Sequence, residues 1–159
     1  MAQSLSKVYI HTVFSTKHVK NLIPEKIREE LQSYIIGCLS NIGSFTEEIY
    51  INPDHLHALC TLPRTVTIAQ LITKIKTPSS RWLKTKGISD FDWQDGYAAF
   101  SVSASNLNAL RNYILNQPDH HKKVNYKDEL RIFFKKYNID FALPTASLRR
   151  PKDEKYVWD

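Results

Sequence analysis

Apolar and polar residues alternate over residues 7–16, where Val8, Tyr9, Ile10, Thr12, Val13 and Phe14 supply the β-branched and aromatic side chains that suit a pleated surface, so the chain opens on a strand. The period then changes. Over residues 24–39, Ile27, Leu31, Tyr34, Ile35 and Cys38 recur at helical spacing, with Pro24 suited to a first turn and Gly43 beyond the end. Residues 45–51 read as a second strand, Asn52-Pro53-Asp54 as a tight turn and residues 55–62 as a third strand closed by Pro63, together a hairpin. Thr67 is placed to cap a second helix with Ile68, Leu71, Ile72 and Ile75 on its apolar side. That helix is expected to reach Leu83, with Pro78 bending it or ending it early.

Residues 97–104 are short, apolar and flanked by turn residues, a fourth strand. The order β-α-β-β-α-β predicts an α+β protein with a ferredoxin-like (RRM-like) antiparallel sheet, two helices on one face and the other face free. A third helix, residues 106–117, carries Tyr113 and is expected to lie over that free face, either of its own sheet or of a partner's. A last helix at 127–137 has Leu130, Phe133, Phe134 and Tyr137 as its apolar side, and an irregular tail is expected from Pro144. The expected division is one domain over residues 1–140 and a tail over 141–159.

Charge narrows the class of partner. With 22 Lys and Arg against 16 Asp and Glu, a formal net charge of +6 and a pI near 9.3, the chain favours polyanions, of which nucleic acid is the commonest. Cys38 and Cys60 sit in apolar settings and read as small buried thiols, which suits a reducing cytoplasm. No apolar run reaches membrane-spanning length and Met1-Ala2-Gln3-Ser4 lacks the features of a signal peptide, so a cytoplasmic protein without a membrane partner is expected.

The candidate chemistry begins on the third strand. Side chains alternate faces there, so His55 and His57 project together while Leu56, Ala58 and Cys60 point away. Two such imidazoles can share a metal ion, or stand as half-buried histidines with no ligand. Downstream, Tyr113 and Gln117 lie four residues apart, a phenol and an amide on one helical face.

His55-Leu56-His57 followed by Tyr113-x-x-x-Gln117 resembles the single-tyrosine HUH transposases of the smallest bacterial insertion sequences and their domesticated relatives associated with repetitive palindromes. The resemblance also takes in His11-Thr12-Val13-Phe14-Ser15-Thr16-Lys17, Ser79-Ser80-Arg81-Trp82, Trp93-Gln94-Asp95-Gly96-Tyr97 and Gln117-Pro118-Asp119-His120-His121. His55, His57 and Gln117 would form a metal site of two imidazoles and an amide oxygen with positions left open. Such donors accept Mn, Zn, Fe, Ni or Mg, and the resemblance implies Mg²⁺ or Mn²⁺. It further implies Tyr113 as a nucleophile that forms a 5′-phosphotyrosine link on single-stranded DNA bearing a hairpin, with no nucleotide cofactor. Many family members are homodimers, so a composite site is expected, with Tyr113 of one chain over His55 and His57 of the other.

Lys74, Lys76, Arg81, Lys84 and Lys86 cluster on and after the second helix, with Trp82 and Trp93 around the loop that follows. Cations interleaved with aromatics suit single-stranded DNA, though a solvated helix face with core tryptophans has the same pattern. His120, His121, Lys122 and Lys123 are candidate phosphate contacts, or a plain charge run at a helix end. His11 is expected beside the histidine pair, chiefly as a structural residue. The rival class is a non-catalytic single-stranded RNA- or DNA-binding module, which would want aromatic rings where His55 and His57 stand and an RNP-type string that is absent.

Overall fold

The computed structural model describes residues 3–139. Its sheet has four antiparallel strands, β1 (Tyr9–Ser15), β2 (Thr46–Ile51), β3 (His55–Thr61) and β4 (Ala98–Val102), in the order β2-β3-β1-β4. This is the predicted ferredoxin-like arrangement, with β1 and β3 central. Val13 pairs with His57 and Ser15 with His55, so the pleat sends His11, Val13, Ser15, His55 and His57 to one face. Phe14, Leu56, Ala58 and Cys60 go to the other.

That second face carries the larger core. Helix α1 (Glu25–Asn41) buries Leu31, Ile35 and Leu39 against it, and α2 (Ile68–Thr85) buries Leu71, Ile72, Ile75 and Leu83. Thr67 caps α2 as predicted, in a reciprocal box with Gln70. Pro78 does not end this helix, which continues to Thr85. The hydrogen bond that proline forfeits is offset by side chains buried on both sides of it, and Trp93 Nε1 donates to Ser79 Oγ at 2.9 Å.

The first face is not covered as expected. Helix α3 (Leu107–Leu115) leaves the 3₁₀ turn Ala104–Asn106 and packs beside edge strand β2, where Arg111 pairs with Glu47. The predicted helix 106–117 is broken at Asn116, and a short α4 (Gln117–His120) starts again with Pro118 in its first turn. The cover is α5 (Tyr126–Lys136), which lays Tyr126, Leu130, Phe133 and Phe134 on Val13, Ala98 and Phe100. Asn125 caps α5 by accepting from the Asp128 N–H at 2.9 Å. The tail expected at 141–159 lies outside the described residues. Among those residues, no helix is long and apolar enough to cross a membrane.

Candidate active site

His55 and His57 are buried between the sheet and α5, and each has its outer nitrogen tied. His55 Nδ1 donates to Asp54 Oδ1 at 2.6 Å, and His57 Nδ1 meets His11 Nε2 at 2.9 Å. His11 therefore stands beside the pair as β1–β3 pairing requires, its ring stacked on that of His57 at 5.2 Å. With the outer nitrogens engaged, both Nε2 atoms turn inward, an orientation that prepares imidazoles to bind a cation.

They turn toward Glu129, a wholly buried carboxylate on α5. Its Oε1 lies 2.5 Å from His57 Nε2 and 3.6 Å from His55 Nε2, and its Oε2 lies 3.0 Å from His120 Nε2 and 3.2 Å from His121 Nε2. Gln117 Nε2 donates to Oε2 at 3.2 Å, while Gln117 Oε1 accepts from Asn52 Nδ2 at 3.2 Å. One ligand atom from each of His55, His57, His121 and Glu129 falls within 4.8 Å of the others. This donor set, imidazoles backed by hydrogen bonds plus one carboxylate, fits a divalent ion. Gln117 borders this group with its nitrogen towards Glu129, and its oxygen would join the donors only on release from Asn52.

Tyr113 reaches the same carboxylate. Its hydroxyl donates to Glu129 Oε2 at 2.5 Å and lies 3.2 Å from His120 Nε2, with its ring 6.0 Å from that of His57. Burial first, and then the Glu129 charge, push the Tyr113 pKa well above its ordinary value. Burial by itself would raise the Glu129 pKa, but hydrogen bonds from His121, His55 and His57 outweigh it and hold the carboxyl far below its usual range. The phenol is thus protonated and the carboxylate ionised. The composite arrangement expected from sequence is not needed for this contact: the chain's own Tyr113 meets its own histidine pair, because the turn after β4 folds α3 back beside β2.

The same burial makes a pH prediction. Desolvation lowers the pKa of His57 to about 4 and that of His11 well below 6.5, so both stay neutral in the fold at pH values where the unfolded chain takes up protons. The unfolded state then binds more protons, and stability falls on acidification from pH 6.5 towards 4, by about 1.4 kcal/mol per pH unit for each such group. His55, whose pKa is raised because its bonds to Asp54 and Glu129 outweigh burial, adds stability already complete below pH 6.5 and so contributes no slope there. Urea unfolding in chelator should show this slope, about halved in His11→Gln. An unchanged slope in that variant would remove His11 from the account.

The other predicted contacts divide. His121 joins the cluster and His120 touches Tyr113 and Glu129, so neither is a plain surface contact. Lys122 stays exposed, 3.1 Å from Asp119. Lys76 is not a free cation: its Nζ donates to the carbonyls of Gln94 at 2.6 Å and Gly96 at 2.7 Å, and burial brings its pKa down to about 8. Trp82 is stacked on Tyr34 at 5.7 Å, and Trp93 belongs to the core, so the pattern read as a stacking platform is partly packing. Lys74, Arg81 and Lys84 are exposed on α2.

Sequence reasoning missed Glu129, Asn52 and Asp54. The signal for Glu129 was present, since it interrupts the buried stripe Tyr126, Leu130, Phe133, Phe134 at helical spacing, where a charge needs partners. Asp54 and Asn52 flank the hairpin turn and looked like ordinary turn formers.

The sequence profile of the family described as Transposase IS200 like matches residues 4–117. No curated protein sequence matches the chain. Among solved structures, a candidate transposase of Deinococcus radiodurans R1 superposes with a TM-score of 0.58 at 18% identity, over 74% of this chain and 98% of its own. A REP-associated tyrosine transposase bound to a REP hairpin superposes with a TM-score of 0.56 at 16% identity, over 99% of each chain. At these identities the likeness is one of fold, and it agrees with the sheet described above. The profile covers well over half of the sequence, including His55, His57, Tyr113 and Gln117, and the chain belongs to the IS200-like transposase family.

Proposed function

We propose that this transposase cuts and rejoins single-stranded DNA at element ends that carry a hairpin, with Tyr113 as nucleophile and His55, His57, Glu129, His121 and Gln117 as the residues that hold a divalent ion, Mg²⁺ or Mn²⁺. The observation that carries this reading is the convergence of the Tyr113 hydroxyl with the histidine–carboxylate cluster, 2.5 Å from Glu129 Oε2. The Tyr113 oxygen attacks the phosphorus, its proton leaves towards Glu129 or His120, and the bond from phosphorus to the 3′ oxygen breaks, the departing oxygen taking a proton from water. The products are a 5′-phosphotyrosine and a free 3′-OH, so the phosphodiester energy is kept for the reverse step and no nucleotide is consumed. A bound ion would polarise the phosphate and offset the Glu129 charge that keeps the phenol protonated. Asp54 and His11 orient the two strand histidines, and α5 keeps water from their rings.

The hairpin part of the reading is supported by the related fold of a tyrosine transposase bound to a REP hairpin. A site complete within one chain needs no second copy, so a homodimer would pair two finished sites. The rival reading, a passive nucleic-acid module, needs an open sheet face, and α5 occupies that face. The test is incubation with labelled hairpin-bearing single strands, with Mn²⁺, Mg²⁺ or excess chelator. The expected result is a denaturant-resistant protein–DNA adduct that needs the metal and is lost in His57→Ala. Full cleavage in chelator, or equal cleavage of blunt duplex, would overturn it.

A further inference from the structure

Asn52 follows β2 at the hairpin turn, and its backbone N–H donates to the His55 carbonyl at 2.8 Å, which leaves its side chain little choice of direction. The residue is 4% exposed. Its Nδ2 lies 3.1 Å from His55 Nε2 and donates to Gln117 Oε1 at 3.2 Å. These contacts belong to a longer chain, which runs from Asp54 Oδ1 through His55, Asn52 and Gln117 to Glu129 Oε2. Both ends are carboxylates, which only accept. At one end the neutral His55 ring must therefore carry its hydrogen on Nδ1, which leaves a lone pair on Nε2. At the other, Gln117 must turn its nitrogen to Glu129, which leaves its oxygen to Asn52. The network thus fixes the Asn52 amide with its nitrogen towards both neighbours.

The two atoms that Asn52 holds are atoms that the proposed metal site offers to an ion. Position decides what that does. Asp54 meets His55 at the far nitrogen, where a hydrogen bond orients the imidazole and strengthens it as a ligand. Asn52 meets the near nitrogen, whose single lone pair cannot serve a hydrogen bond and a cation together. His121 Nε2 also approaches His55 Nε2, at 3.0 Å, but it has Glu129 Oε2 at 3.2 Å to receive its hydrogen and is itself one of the clustered ligand atoms. Buried acceptors left unmet are costly, so the two Asn52 bonds remove a penalty that an ion would otherwise relieve.

We propose that Asn52 is a positioning residue that competes with the ion: one amide nitrogen holds His55 Nε2 and Gln117 Oε1, and it must release His55 before an ion is bound, so metal binding is weaker and more readily reversed than the donors alone would make it. The proposal rests on the reading of His55 and Gln117 as metal ligands and adds what sets the strength of that site. It also frees the fold from dependence on the ion, because the hairpin and α4 stay joined through Asn52 and Gln117 when the ion departs.

The measurement is Mn²⁺ binding by calorimetry, without DNA and at a pH of about 8, above the ordinary histidine pKa. Asn52→Leu keeps much of the side chain's shape and removes both bonds. Its Mn²⁺ affinity should rise by about fivefold for each bond the ion no longer has to break, about 5- to 25-fold in all. A residue that merely braced the turn would give the opposite sign, since a loosened site binds an ion less well. Unchanged or weaker Mn²⁺ binding in the folded variant would overturn the proposal. If thermal melting shows Asn52→Leu to be unfolded, Asn52→Ser is read in its place with the same expected sign, because its hydroxyl is too short to span both acceptors. The wild type gives a second readout by nuclear magnetic resonance. In chelator both Asn52 side-chain hydrogens should be protected from exchange with solvent, and with saturating Mg²⁺ at least the one directed at His55 should lose that protection. Protection of both that survives Mg²⁺ would also overturn the proposal. If the wild type binds Mn²⁺ and forms its adduct while the variant binds no more tightly, the role of Asn52 alone has failed. If the wild type binds no divalent ion and forms no adduct, the proposed function has failed with it.

Discussion

Tyr113→Phe should bind single-stranded hairpin DNA as the wild type does and form no covalent adduct, with the cleavage rate down by about 10⁴-fold or more, as for loss of other enzymic nucleophiles. Only one oxygen is removed, and the ring keeps its edge contact with Phe133 at 5.6 Å, so the fold has little reason to change. The lost hydroxyl leaves Glu129 with its remaining partners His57, His120, His121 and Gln117. Adduct formation on denaturing gels is the measurement, and adduct at wild-type rate would show that another residue attacks. The same variant tests whether sites are self-contained. Mixed with His57→Ala protein under conditions of subunit exchange, it should regain no cleavage, because the Tyr113 ring lies 6.0 Å from the His57 ring of the same chain. Recovered cleavage would instead mean that helix α3 is exchanged between chains in solution.

The sheet was legible because its signals are local. Alternation in residues 7–16 and 55–62, the Asn52-Pro53-Asp54 turn and the Thr67 cap each need only a few neighbouring residues, and their order leaves few topologies. The pairing of His55 with His57 follows from the pleat alone, and the place of His11 follows from the neighbouring strands. What sequence could not supply is which helix lies where. Helix α3 carries Tyr113 and was the economical cover for the free face, but α5 has the larger apolar stripe, and the Arg111–Glu47 pair holds α3 to the edge. Once α5 takes the face, Glu129 must come with it into the middle of four histidines. The setting of Lys76 was hidden for a similar reason, since nothing local reveals that the carbonyls of Gln94 and Gly96 converge on its ammonium.

Helix α5 and His121 lie beyond the segment that the family profile matches, yet they supply two of the four clustered ligand atoms. If Glu129 is a metal ligand, Glu129→Gln should lower Mn²⁺ affinity at least as much as the loss of a ligand's supporting partner, about 10- to 100-fold, measured by calorimetry without DNA. Glutamine has nearly the same shape but one oxygen where the carboxylate has two, so it can accept from His57 at the Oε1 position or from Tyr113 at the Oε2 position but not from both; a thermal melt matching the wild type's is the control that assigns a fall in affinity to the missing charge rather than to a collapsed site. The variant also separates two roles. A carboxylate that only holds the ion can be compensated by raising the Mn²⁺ concentration, and adduct formation should then recover; a carboxylate that also takes the Tyr113 proton cannot be replaced in this way. The 2.5 Å contact from Tyr113 to Glu129 predicts the second outcome, with metal binding restored at high Mn²⁺ while the rate stays at least about 100-fold low, the usual worth of a positioned base. Unchanged Mn²⁺ affinity in Glu129→Gln would take the carboxylate out of the metal site and leave His55, His57 and Gln117 as its core.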